Sequence, residues 1–210
     1  MNKEQRSLMQ APELRAAPSA GSGPGLVSGY AAVFNSQADI GGYWREVVAP
    51  GAFAETLRSD DILAYSAHDS ARILGRTSSG TLRLREDAVG LAVEIDLPDT
   101  TDGRDVAELV RRGDLKGMSF GFIVTKETWD ETVEPPLRTI QQASLIEVSA
   151  VGRPAYGDTS LGLRSLERSR GERSSAEIER NRQEAAQRIA VRKAETDNKL
   201  RGISPKDARA

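Results

Sequence analysis

The chain contains no cysteine among its 210 residues. That removes disulfide frameworks, thiolate metal sites, iron–sulfur ligation and any cysteine nucleophile in one step. Histidine is nearly as scarce. His68 stands alone, so a site built from two or three imidazoles is excluded as well. No apolar run approaches the ~20 residues that a membrane span needs. The opening stretch MNKEQRSLMQAPELR lacks the apolar segment of a secretory signal. These absences predict a soluble protein of a reducing compartment, with no membrane partner.

Charge is plentiful but unevenly spread. Residues 161–210 hold 13 Lys and Arg against 8 Asp and Glu, a net of +5, while residues 1–160 hold 16 against 23, a net of −7. The overall charge of −2 conceals an acidic body and a basic tail. The tail has no Phe, Tyr or Trp and can bury little. Its Arg residues are interleaved with Glu in ERSRGERSSAEIERNRQEAAQRIAVRKAE, the pattern of a solvated or marginal helix. A row of phosphate contacts would want fewer intervening acids, which disfavours nucleic acid as a partner. Ile178, Ala185 and Ile189 form a thin apolar stripe at helical spacing, suited to a partner helix. At the other end, residues 1–25 run out in APSAGSGPG without periodicity and are expected to form a mobile arm.

Between these flanks the sequence is patterned. LVSGYAAVF (26–34) and REVVA (45–49) predict strands, APGAFAETLRS (49–59) a short helix opened by Pro50, and DILAYSAH (61–68) a third strand. Leu82 and Leu84 alternate with Arg83 and Arg85. Beyond a turn near Glu86 and Asp87, the residues Val89, Leu91, Val93, Ile95 and Leu97 alternate again. TTDGRDVAELVRRG (100–113) predicts a helix with Val106, Leu109 and Val110 inward and Gly113 as its stop. MSFGFIVTKETW (118–129) and LRTIQQASLIEVSAVG (137–152) predict two further strands, the second long or bent. The expected fold is α+β and β-dominated: mostly antiparallel strands that close or nearly close into a barrel, with a few helices around it.

Three polar side chains stand among apolar neighbours. His68 ends a strand candidate, Ser119 opens a Phe-rich strand just after Gly117 and Met118, and Glu147 lies between Ile146 and Val148. A carboxylate buried there without a partner costs several kcal/mol, and an imidazole N–H is one donor that can satisfy it. Each residue also has a plainer role open to it: a satisfied structural histidine, a tolerated serine, a glutamate turned outward at a bend. Jointly they supply the nucleophile, base and orienting acid of Ser–His–acid acyl transfer. Asp69 is a rival acid, disfavoured because adjacent strand residues point to opposite faces. Residues 117–121 spell G-x-S-x-G, yet a nucleophile elbow requires a helix after the serine and a histidine later in the chain. Here a strand continues, and the order is His, Ser, acid.

In that order the chain carries GYAAVF, EVVAPGAFAETL, HD followed by LGR, EDAVGLAVEIDLPDTTDGRD, GDLKGMSFGF and LIEVSAVGRPAY. Over residues 26–160 this succession resembles the tailed-phage prohead proteases, serine peptidases of capsid maturation. The resemblance implies a triad of His68, Ser119 and Glu147. It also implies a fold shared with the herpesvirus assembly proteases, a β-barrel ringed by helices. Arg153 in GRPAY becomes a candidate oxyanion donor, although it could equally pair with Asp158, and backbone N–H groups near Ser119 are alternatives. Neither a metal nor an organic cofactor is implied. The implied substrate is the scaffolding region of the capsid precursor, and the enzyme itself, inside an assembling prohead in the bacterial host cytoplasm. On this reading a protease domain at 26–163 lies between the arm (1–25) and the basic tail (164–210), either of which could tether it; self-association is left open. A catalytically silent scaffold or capsid-interaction protein of the same fold is the alternative class.

Overall fold

Alternating apolar and polar residues become strands across most of the chain that the computed structural model describes: residues 3–7, 14–18 and 23–152, with positions 170, 171, 180 and 183. The chain divides into two compact units, Met1–Leu163 and Arg164–Ala210. The four separate positions are helical and belong to the second unit. The stripe of Ile178, Ala185 and Ile189 lies outside the described residues, as do Arg153 and Asp158.

The described part of the first unit runs β1 (Glu4–Ser7), β2 (Arg15–Ala17), β3 (Leu26–Val33), β4 (Ala38–Ile40), β5 (Trp44–Val48), α1 (Thr56–Ser59), β6 (Leu63–Ser66), β7 (Asp69–Arg76), β8 (Leu82–Glu86), β9 (Gly90–Asp96), α2 (Thr101–Arg112), β10 (Gly117–Asp130) and β11 (Leu137–Val151). One sheet is antiparallel in the order β2-β3-β9-β8. Its exposed face is laced by Arg83, which bonds Glu94 at 3.1 Å and Asp96 at 2.6 Å across β9. The other sheet is built on the long antiparallel pair β10 and β11. The two ends of β11 take β5 and β6 as parallel neighbours, β4 and β7 extend these, and β1 lies along the outer edge of β10.

The α+β, strand-rich class holds, but the closed or nearly closed barrel does not. The strands form two open sheets, and among the described residues an isolated bridge, Phe34 to Val48, links them. The short strands β1 and β2 lie along part of the outer edges of β10 and β3, pairing with residues 119–122 and 26–28. The same two strands correct the expectation of a free N-terminal arm, because residues 4–7 and 15–17 are both paired. The helix expected over 49–59 is also shorter, because Gly51 takes a left-handed φ of 84° and bonds at Ala52 and Ala54 reach back only three residues. Helix α2 follows its sequence signals closely. Thr100 caps its start by accepting from Gly103 N at 3.2 Å, and Gly113 ends it with φ 76°. Val106 and Val110 are buried as expected, whereas Leu109 stays partly exposed.

The core lies between the sheets and α2, and includes Val27, Leu91, Ile95, Val106, Leu145 and Val148. At its centre Phe120 meets Phe53 edge-on at 5.6 Å and stacks on Phe122 at 4.8 Å. Among the described residues no helix is long and apolar enough to cross a membrane. Truncating Phe120 removes both ring contacts from a fully buried position. Phe120→Ala is expected to lower the unfolding free energy by about 3–5 kcal/mol, read from the urea midpoint.

Candidate active site

Glu147 sits in β11 at 1% exposure, where burial alone would push its carboxyl up. Donors from three parts of the chain reverse that. His68 Nδ1 lies 2.9 Å from Oε1, Ser149 Oγ donates to Oε2 at 2.7 Å, and Lys3 Nζ stands 3.3 Å from Oε1. The His68 and Ser149 bonds, with the charge of Lys3, hold the carboxyl below its ordinary value. An ionised carboxylate only accepts, so His68 Nδ1 carries the proton and a neutral ring turns its lone pair out through Nε2. That Nε2 is buried and meets no hydrogen-bond partner among the described residues.

The backbone brings these groups together in an unusual way. Strand β6 runs parallel to β11, setting Leu63 beside Glu147 and Ser66 beside Ala150. Two residues later the chain reverses into β7, with Ser66 opposite Asp69. His68 therefore lies in a two-residue turn, not at a strand end as its sequence suggests. Ala67 and His68 have φ of 53° and 62°, the left-handed conformation that both central positions of a type I′ turn require. Glycine or asparagine usually fills such a turn, and other residues bear about 1–2 kcal/mol of strain each. The turn presents the imidazole to Glu147. Asp69, the rival acid, instead accepts from the Ala71 backbone N–H at 2.9 Å.

Ser119 is the third member singled out, and it lies on the adjoining strand. In the β10–β11 register Ser119 faces Ser149 and Gly121 faces Glu147, so all four share one side of the sheet. Gly121 is required by the close approach: a Cβ there would stand 2.5 Å from Glu147 Oε1. His68 and Glu147 are thus bonded to each other, while Ser119 is not bonded to either. Its hydroxyl, fully buried, donates to the Arg6 carbonyl oxygen at 2.8 Å. The partner comes from β1, whose Ser7 pairs with Ser119 and whose Arg6 pairs with Phe120.

Several residues of this site were missed by sequence reasoning. Ser149 carried a usable signal, because it follows Glu147 by two and must share its face. Lys3 and Arg6 carried none, lying in a stretch without periodicity. A second buried charge cluster sits behind the site. Arg6 Nε bonds Glu46 Oε1 at 2.6 Å, and Arg138 bonds Glu4 and Glu46, both at 2.9 Å. All four side chains are buried. Burial would raise the Glu46 carboxyl, but Arg6 and Arg138 hold it below its ordinary value. Glu46 shares its buried strand face with Trp44 and Val48, the same period-two signal that marked Glu147.

With this geometry in place, the chain matches the family described as Caudovirus prohead serine protease over residues 13–172. It belongs to that family. It is also 31% identical over 136 residues to the prohead protease of Enterobacteria phage HK97, a match covering 62% of this chain and 56% of that protein. The chain thus spans a little over half the length of the curated relative it matches. No solved structure matches it.

Two measurements check this geometry. Ala67→Gly relieves the left-handed strain and is expected to raise stability by about 1 kcal/mol in urea titrations, His68 being untouched. Glu147 is ionised in the fold below its ordinary value of 4.5. Its contribution to stability is therefore complete above that value and is lost as pH falls through the lower folded-state one. Unfolding titrations between pH 7 and 3 are expected to show a shallower acid decline for Glu147→Gln than for the parent chain.

Proposed function

We propose that this chain is a serine endopeptidase of capsid maturation, with Ser119 as nucleophile, His68 as general base and Glu147 as the acid that orients it. The observation that carries this reading is the 2.9 Å bond between His68 Nδ1 and the buried Glu147 carboxylate. It fixes the tautomer that leaves Nε2 free to accept a proton. In the reaction, Ser119 Oγ forms a bond to the scissile carbonyl carbon as its proton passes to His68 Nε2. The C–N bond then breaks and His68 returns the proton to the leaving amine. Water, deprotonated by the same imidazole, hydrolyses the acyl-serine. Glu147 stabilises the imidazolium throughout. The tetrahedral oxyanion needs donors, for which Arg153 and backbone N–H groups near Ser119 remain the candidates.

The substrate on this reading is the scaffolding region of a capsid precursor, and the enzyme itself, cut inside a prohead in the host cytoplasm. Family membership and the likeness to the HK97 prohead protease support it. Co-expression with the capsid precursor is the test. Ser119→Ala is expected to abolish processing on a gel, and Glu147→Gln to slow it by about 10³–10⁴-fold through loss of the correct tautomer. Processing by Ser119→Ala equal to the parent would leave the catalytically silent scaffold as the function.

A further inference from the structure

The strand that covers Ser119 is held as a peptide substrate would be. Residues 4–7 pair antiparallel with 119–122, which places the carbonyl of Arg6 against the Ser119 hydroxyl at 2.8 Å. Adding an extended segment to a sheet edge is a general mode of peptide recognition, with main-chain bonds supplying affinity and alternate side chains supplying selectivity. Here the selective side chain is Arg6. It leaves the strand on the side opposite Ser119, lies 5.6 Å over the Phe122 ring, and bonds Glu46 through Nε at 2.6 Å and a terminal nitrogen at 3.1 Å. Glu46 belongs to the body of the fold rather than to β1. Arg138, on β11, bonds the same carboxylate at 2.9 Å, a contact that does not come from β1.

We infer that the β10 edge beside Ser119 is the substrate-binding strand, and that Glu46 is its specificity residue, receiving an arginine that immediately precedes the scissile bond. The inference rests on the peptidase reading above and gives it a substrate class: extended peptides with arginine on the acyl side. A peptide in the register of β1 brings the carbonyl of its arginine to Ser119, with the guanidinium over Phe122 and against Glu46. The next residue, in the place of Ser7, provides the leaving amine. The strand β1 occupies this site in the resting chain. Its carbonyl oxygen accepts the Ser119 O–H hydrogen bond, which turns the hydroxyl away from His68 in the resting chain.

The test uses the full-length chain carrying Arg6→Ala, which loosens β1, with and without Glu46→Gln. Two synthetic peptides with the sequence of residues 2–9 are offered, identical except that one carries arginine and the other citrulline, its uncharged isostere, at the position of Arg6. With Glu46 present, kcat/KM is expected to favour the arginine peptide by at least about tenfold, as sites built around a buried polar partner do. With Glu46→Gln that ratio is expected to fall to about one. The ratio is taken on a single preparation, so partial unfolding of either variant cancels. Equal cleavage of the two peptides, or a preference that survives Glu46→Gln, overturns the assignment. If the capsid precursor is cut and neither peptide is, the subsite alone falls. If nothing is cut, the peptidase reading falls with it.

Discussion

An ionised carboxylate enclosed in a β-sheet has to find donors, and the arrangement around Glu147 follows from that requirement. Its own strand offers Ser149, one pleat away. The neighbouring strand must give up a side chain altogether, which is why Gly121 stands opposite. Lys3 reaches the carboxylate from just ahead of β1, and His68 has to arrive from the end of β6, on the other side of β11. A tight turn achieves this at the cost of two left-handed residues, Ala67 and His68. A histidine held at a reversal of the chain, with one nitrogen bonded to a buried acid, has its ring orientation set by that bond.

The same constraint operates a second time on the reverse side of β10. Glu4, Arg6, Glu46 and Arg138 are buried together and satisfy one another across β1, β5 and β11. Removing one partner from such a group leaves a charge stranded in low dielectric, a loss of about 3–5 kcal/mol in comparable cases. The two charged clusters lie on opposite faces of β10, and the N-terminal segment contributes to both, through Lys3 just ahead of β1 and Arg6 within it. A segment of five residues, Lys3–Ser7, is therefore bound far more firmly than its length implies.

Much of this was legible before any coordinates. The period of β8 and β9, the caps of α2 and the long pair β10 and β11 are local patterns, and local patterns survive folding. His68, Ser119 and Glu147 could be picked out because each breaks an apolar context. Glu46 and Ser149 break theirs by the same rule and were overlooked, since neither joined a recognisable chemical set. What could not be read was pairing between distant segments. β1 and β2 are four- and three-residue pieces too short to show a period, and only their partners in β10 and β3 make them strands.

The distance along the chain between β1 and its partner has a consequence for synthesis. Arg6 and Ser119 are 113 residues apart, so the segment that covers the serine leaves the ribosome long before the strand it covers. Until residue 122 has emerged, β1 has nothing to pair with, and closing so long a loop is entropically unfavourable without the folded body to receive it. The nascent chain must therefore carry β1 as an unmatched strand until β10 has been made, and the hydroxyl is shielded only after elongation has passed it.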